Sequence, residues 1–161
     1  MNDRMYKALN DQVNEELFAS YLYFSMASWF DAGNLGGFAT WLKAQAAEEL
    51  KHAMKLYGYI TDRGHQTLLA GIKAPQTTWE TPLAAFENAL AHEKHVTQRY
   101  NELTDLAIEL KDHASREFLG WFLTEQVEEE KTTGDVVQQL KLANNHPGAL
   151  MMLNHGLGAR G

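Results

Sequence analysis

One pattern of metal-ligating side chains occurs twice in this chain, and it restricts the available folds more than any other feature. Glu16 is followed 33 positions later by Glu49 and 3 further on by His52, and Glu93 is followed at the same 33 and 3 by Gln126 and Glu129. Residues at i and i+3 share one face of a helix. A carboxylate, then an i, i+3 ligand pair one helical hairpin later, twice over, is what a dinuclear metal site inside a four-helix bundle requires.

The remaining sequence supplies the helices. Its three prolines, Pro75, Pro82 and Pro147, interrupt no long periodic segment. The periodicity predicts helices over about 4–32, 37–63, 82–110 and 113–144, and a short fifth helix over about 148–155. Gly33 and Asn34 should end the first and Gly64 the second. Thr81 should cap the third ahead of Pro82, Asp112 or Ser115 the fourth, and Pro147 opens the last. Residues 64–81 hold two glycines, Pro75 and little periodicity, so they read as an extended connection. At about 3.3 Å per residue that connection can run the length of a helix of roughly 42 Å. The expected fold is all-α, one domain over 1–161. It is a four-helix bundle of two antiparallel hairpins, with one long crossover that leaves the second and third helices parallel, and a short fifth C-terminal helix.

At about 100° per residue, Leu9, Val13, Ser20, Tyr23, Ala27 and Phe30 share the face of Glu16. Phe38, Leu42, Gln45, Ala46, His52, Ala53, Leu56 and Ile60 share that of Glu49. Phe86, Ala89, Val96, Tyr100 and Ala107 flank Glu93, and Phe118, Phe122, Gln126, Val136 and Leu140 flank Glu129. Each Glu therefore sits near mid-length in a mainly apolar stripe, and four carboxylates should meet at one level of the core. An unpaired buried carboxylate costs several kcal/mol even after relaxation, by rough reckoning, and like charges add to that. No Lys or Arg lies on these stripes at that level. Two divalent cations would balance the four carboxylates, and oxygen ligands with one imidazole suit iron or manganese.

Composition narrows the classes. The net charge of −7 argues against nucleic acid or an anionic lipid surface as partner. Without cysteine there is no disulfide framework and no thiolate site. No secretory signal is expected behind Met1-Asn2-Asp3-Arg4, and the apolar stretch Leu17 to Phe30 is too short to span a bilayer, so a cytoplasmic location is expected.

Two motifs invite misreading. His92-Glu93-Lys94-His95 is one residue short of the zinc-protease pattern, with Val96 where a histidine is needed, and both histidines point away from the Glu93 stripe, toward the surface or an interface. In the acidic run Glu128-Glu129-Glu130 only Glu129 faces the core, while Glu125, one turn earlier, is placed to add an oxygen ligand.

The segments Asn14-Glu15-Glu16-Leu17, Ala47-Glu48-Glu49-Leu50-Lys51-His52, His92-Glu93 and Thr124-Glu125-Gln126-Val127-Glu128-Glu129-Glu130-Lys131 resemble those of bacterial non-haem ferritins, and the resemblance covers nearly the whole chain. It implies an intrasubunit diiron ferroxidase centre. Glu16, Glu49 and His52 would hold one iron, and Glu49, Glu93 and Glu129 the other, with Glu49 bridging and Gln126 a polar neighbour. Glu48, Glu125, Glu128 and Glu129 match a third iron site toward the cavity, and Tyr23 matches the tyrosine beside the centre, although a plain core role would suit it equally.

The resemblance further implies oxidation of Fe(II) by O2 or H2O2 and storage of a ferric mineral in a hollow homo-oligomeric shell of 24 subunits. Leu50 stands where bacterioferritins carry the haem-ligating Met, so no haem is expected, and without cysteine a rubrerythrin-like peroxidase is excluded. Phe18, Tyr21, Leu22, Met26 and Trp29 widen the apolar face of the first helix, for a subunit interface or for cover by Leu68, Leu69 and Ile72. Leu150, Met151, Leu153 and Leu157 suit a helix at the fourfold axis; Asp112 and Glu117 suit either a threefold channel or helix capping. Two other readings are a small-molecule diiron oxidase or peroxidase without storage, and an iron-binding bundle that never turns over.

Overall fold

Left-handed residues mark where the long helices end. In the computed structural model, which describes residues 1–160, α1 (Asp3–Ala32), α2 (Gly36–Asp62), α3 (Pro82–Glu109), α4 (His113–Ala143) and α5 (Pro147–Leu157) follow in order. After α1, α2 and α3 stand Asn34, Gly64 and Lys111, at φ 60°, 83° and 56°. Each turn is closed by the same six-residue bond: Leu35 N to Phe30 O at 2.9 Å, His65 N to Ile60 O at 3.1 Å, Asp112 N to Ala107 O at 2.8 Å. Thr81 caps α3 through a bond from Ala84 N at 3.0 Å, and Asp112 caps α4 from Ser115 N at 3.1 Å. Observed and expected boundaries of α1–α4 agree within a residue at each end. α5 begins at Pro147 itself, a residue suited to the first helical position, and runs past His155 to Leu157.

α1 pairs with α2 and α3 with α4, and α1 also meets α3. The crossover lies along α1 in its direction. Tyr6 OH donates to Gln66 O at 2.6 Å, Asn10 and Asn14 clasp the backbone of Leu68 and Ala70, and Ser25 Oγ donates to Gln76 O at 2.6 Å. These bonds satisfy backbone groups of a segment that has no helix or sheet of its own. Running along α1, the crossover delivers α3 parallel to α2.

The core is divided. Met26, Phe30, Phe38, Leu42, Phe86 and Leu140 belong to one apolar cluster. Leu9, Val13, Leu56, Ile60, Tyr100 and Phe122 belong to another. Between them lie buried Gln12, Glu16, Gln45, Glu49, His52, Glu93, Gln126 and Glu129. The wide apolar face of α1 is partly satisfied within the chain: Leu22 and Met26 are buried, and Trp79 of the crossover meets Trp29 edge-on at 5.9 Å. Leu68, Leu69 and Ile72 are themselves largely exposed, and Tyr21 and Phe24 of α1 stay about half exposed as well. Among the described residues no helix is long and apolar enough to cross a membrane.

α5 is fastened to the start of α2. The residue before α2, Leu35, offers no side-chain cap. Asn154 of α5 supplies it instead, its Oδ1 accepting from Gly37 N at 2.7 Å and Phe38 N at 3.2 Å. The approach is close enough that a Cβ at Gly37 would lie 1.6 Å from the Asn154 carbonyl oxygen, which requires glycine there. Replacing Asn154 by Ala removes a helix cap worth about 1 kcal/mol. The thermal midpoint is expected to fall by about 2–4 °C, which calorimetry at fixed protein concentration would detect; an unchanged midpoint would mean the cap contributes nothing.

Candidate metal centre

The six repeat residues converge. Glu16 comes from α1, Glu49 and His52 from α2, Glu93 from α3, and Gln126 and Glu129 from α4. All are buried, with Glu129, at 7% exposure, the most open. Glu16, Glu49 and His52 each bring one ligand atom within 4.8 Å of the others, and so do Glu49, Glu93 and Glu129. Sharing Glu49 makes the pair of triads a two-metal site.

Hydrogen bonds hold the carboxylates from outside and leave some atoms free. His52 Nδ1 lies 3.1 Å from Glu49 Oε2 and 3.9 Å from Glu16 Oε2. Gln45 Nε2 donates to Glu49 Oε1 at 2.9 Å and Glu129 Oε2 at 2.7 Å. Gln12 Nε2 donates to Glu16 Oε1 at 3.2 Å and is itself held by Arg99 Nε at 2.7 Å. Gln126 Nε2 donates to Glu93 Oε2 at 3.1 Å. Tyr23 OH donates to Glu93, and Tyr100 OH donates to Glu16. Glu16 Oε2, His52 Nε2 and Gln126 Oε1 remain buried with no partner. Orphaned buried polar atoms are rare in folded proteins, and three in one layer of carboxylates fit a cation.

The electrostatics agree. Burial pushes Glu16 well above the usual carboxylate range, and Glu49 adds to it. Burial does the same to Glu49, with Glu93 adding. Glu93 is raised by burial against the opposing bonds from Tyr23 and Gln126. Glu129 is pushed up to about 7 by burial first and by Glu93 second. Tyr23 and Tyr100 are driven well above the ordinary phenol value, by burial and then by Glu93 and Glu16 respectively, so both stay protonated donors.

The outer acidic residues do not gather as one group. Glu125, half-buried, lies with His52 and Glu129, ligand atoms within 4.8 Å. Glu48 is half-buried with its carboxylate 3.8 Å from Lys51 Nζ, and Glu128 is exposed. Asp112 is engaged in capping and in a 3.1 Å pair with Arg63. Of the two decoy histidines, His95 is exposed and His92 half-buried. The His92 ring sits edge-on to Phe18 and Tyr23, its Nε2 is buried without a partner, and burial lowers its pKa to about 4.

Tyr100 is the residue whose part in the site the stripe argument passes over. Tyr23 lies seven positions after Glu16 and Tyr100 seven after Glu93, so the repeat extends to the tyrosines. Each tyrosine then binds the other half's glutamate. Gln12 carries no counterpart in the second half, where Ala89 stands, and no periodicity marks it.

A four-helix bundle with one long crossover, carrying a Glu–Glu–His triad and an all-glutamate triad on a shared glutamate, has a diiron centre of the ferroxidase type. Residues 6–143 match the ferritin family, described as a ferritin-like domain. Bacterial non-haem ferritins of Staphylococcus epidermidis and Staphylococcus aureus are 40% and 38% identical to the chain, each over 160 residues, 99% of this chain and 96% of theirs. An open-pore ferritin from the hyperthermophilic archaeon Archaeoglobus fulgidus superposes with a TM-score of 0.99 at 42% identity, over 100% of this chain and 99% of that one. The chain belongs to the bacterial non-haem ferritin family.

Raised carboxylate pKa values set a direction for stability. The fold holds these protons more tightly than the unfolded chain does, so their contribution is complete below the usual carboxylate range and is lost as pH rises through about 7 at Glu129. Metal-free protein is therefore expected to lose denaturant resistance between about pH 5 and about pH 8, and saturating Co(II) should abolish the loss. Urea midpoints across that range, with and without the ion, check this; a metal-free midpoint that rises with pH contradicts it.

Proposed function

We propose that this chain stores iron: it oxidises Fe(II) at the shared-glutamate centre and deposits ferric oxyhydroxide inside a hollow shell of 24 copies in the cytoplasm. The single ferritin-like domain 1–161 supplies everything one centre needs. What carries the reading is the layer of four buried carboxylates, with Glu49 common to both triads and no Lys or Arg among them.

Glu16, Glu49 and His52 receive one Fe(II), and Glu49, Glu93 and Glu129 the other. Each ion gives up one electron, so the pair reduces O2 to H2O2, or H2O2 to water, with two protons taken up. Delivering both electrons from neighbouring ions limits the release of one-electron oxygen radicals. Gln126 holds Glu93 in place. Tyr23, bonded to Glu93 and buried, orients that ligand. Ferric ions exceed the charge of four carboxylates and hydrolyse, which favours their departure. Glu125 and Glu129, with His52 beside them, offer the ligand atoms for a third iron position, and Glu48 and Glu128 lie outside that group.

Anaerobic Fe(II) titration of the metal-free protein, followed by air and sedimentation, tests both halves of the reading. Expected are about two or three Fe(II) per chain, as a dinuclear site with one accessory position requires, rapid oxidation, and a large particle that gains mass with added iron. A small oligomer that oxidises iron but never loads beyond the site would identify a diiron oxidase; binding without oxygen consumption would leave only an iron-binding bundle. In Glu49→Ala the oxidation rate should fall by more than the roughly 10–100-fold that loss of an outer ligand partner costs, while the metal-free fold at neutral pH is retained, since a buried charge is gone. An unchanged rate would remove Glu49 from the centre.

A further inference from the structure

The end of the chain reaches back to the metal layer. Arg160, just beyond α5 and half-buried, lays its guanidinium over the Trp41 ring at 4.4 Å from the centroid. Its Nη1 donates to the Trp41 carbonyl at 3.4 Å, and its Nη2 donates to Gln45 Oε1 at 3.0 Å. Gln45 is fully buried and turns its other end to the site, with Nε2 bonded to Glu49 and Glu129. Glu49 is common to both triads and Glu129 belongs to the second.

The order of these groups leaves the amide no freedom. A guanidinium has donors only, and a carboxylate that ligates a metal is ionised and has acceptors only. Gln45 between them is satisfied in one orientation, oxygen to Arg160 and nitrogen to the carboxylates. The flipped amide would meet a donor with a donor and two acceptors with an acceptor.

We propose that Arg160 is a positioning residue for the diiron centre, holding Glu49 and Glu129 in their metal-binding orientation through the Gln45 amide. The inference deepens the ferroxidase reading and rests on it. It makes the seating of α5 part of the site. Asn154 fixes α5 on the first turn of α2, and the chain beyond then brings Arg160 over Trp41 and Gln45. A subunit whose α5 is displaced loses the outer support of two carboxylates without losing a ligand.

Arg160→Met tests the link, since it keeps the aliphatic stem over Trp41 and removes every donor. Loss of an outer partner of a metal ligand costs about 10–100-fold. We expect Fe(II) oxidation about tenfold slower at saturating iron, with helix content and particle size as in the parent. The double variant Gln45→Ala/Arg160→Met should be no slower than Gln45→Ala alone, because the arginine acts through the amide. Arg160→Lys, which keeps the charge and a donor, should recover part of the rate. A parent-like rate in Arg160→Met overturns the proposal, as does a loss that multiplies with that of Gln45→Ala. Should Arg160→Met change the particle size, Arg160→Lys decides: a parent-sized particle whose rate is no higher than that of Arg160→Met overturns the proposal. If the parent chain itself fails to oxidise Fe(II), the ferroxidase reading falls; the link is then read from Co(II) affinity of the metal-free protein, and equal affinity in parent and Arg160→Met overturns it.

Discussion

Everything in this bundle is arranged around four carboxylates placed where a core should be. Ordinary bundles fill that level with leucine and phenylalanine. Here the apolar side chains form two separate clusters above and below, and the level between gathers four carboxylates with no buried Lys or Arg among them. Burial first, and the neighbouring carboxylates after it, raise all four glutamates. Stability must then come from the long helices on either side, and from the turns and straps that hold them in register.

Register is the demanding part, because a helix displaced by one turn moves about 5.4 Å, more than the spread of ligand atoms in either triad. The six-residue closing bonds at Leu35 and Asp112 set each hairpin. The crossover is pinned to α1 at Tyr6, Asn10, Asn14 and Ser25, almost its full length. Across the layer the halves are tied reciprocally, Tyr23 of the first to Glu93 and Tyr100 of the second to Glu16. These phenols are raised by burial and by the carboxylates they face, so they donate at any ordinary pH. They brace the site from both sides without adding charge.

The helices, their caps and the ligand layer could be read from the chain because each is a local or periodic signal. Thr81-Pro82 and Asp112 are short-range caps, and the stripes repeat every turn. The cover over α1 could not be read: whether Leu68 or Trp79 lies against it depends on the path of a segment with no periodicity. His92 defeats the stripe argument differently. Its angle on α3 is correct, but Phe18 and the crossover enclose a direction that a lone helix would leave open. Arg160 was out of reach altogether, since its partner is more than a hundred residues away and a Gly-rich tail gives no hint of its course. Glu125 was seen as a ligand candidate, yet its association with His52, rather than with Glu48 and Glu128, needed three dimensions.

The same desolvation that weakens the metal-free bundle prepares it to bind cations. Carboxylates in water surrender hydration when they ligate an ion; these four surrendered it on folding, and their bonds from Gln45, Gln12 and Gln126 are already in place. The opposing term is the proton. Glu129 is pushed up to about 7, and the more deeply buried carboxylates are raised as well. A divalent ion must therefore expel protons to enter, which makes affinity increase with pH. One divalent cation leaves part of the negative charge of the four carboxylates uncompensated, and the triad on the other side of Glu49 offers a second ion its place. The burial that destabilises the empty protein thus also prepares it to take up two cations.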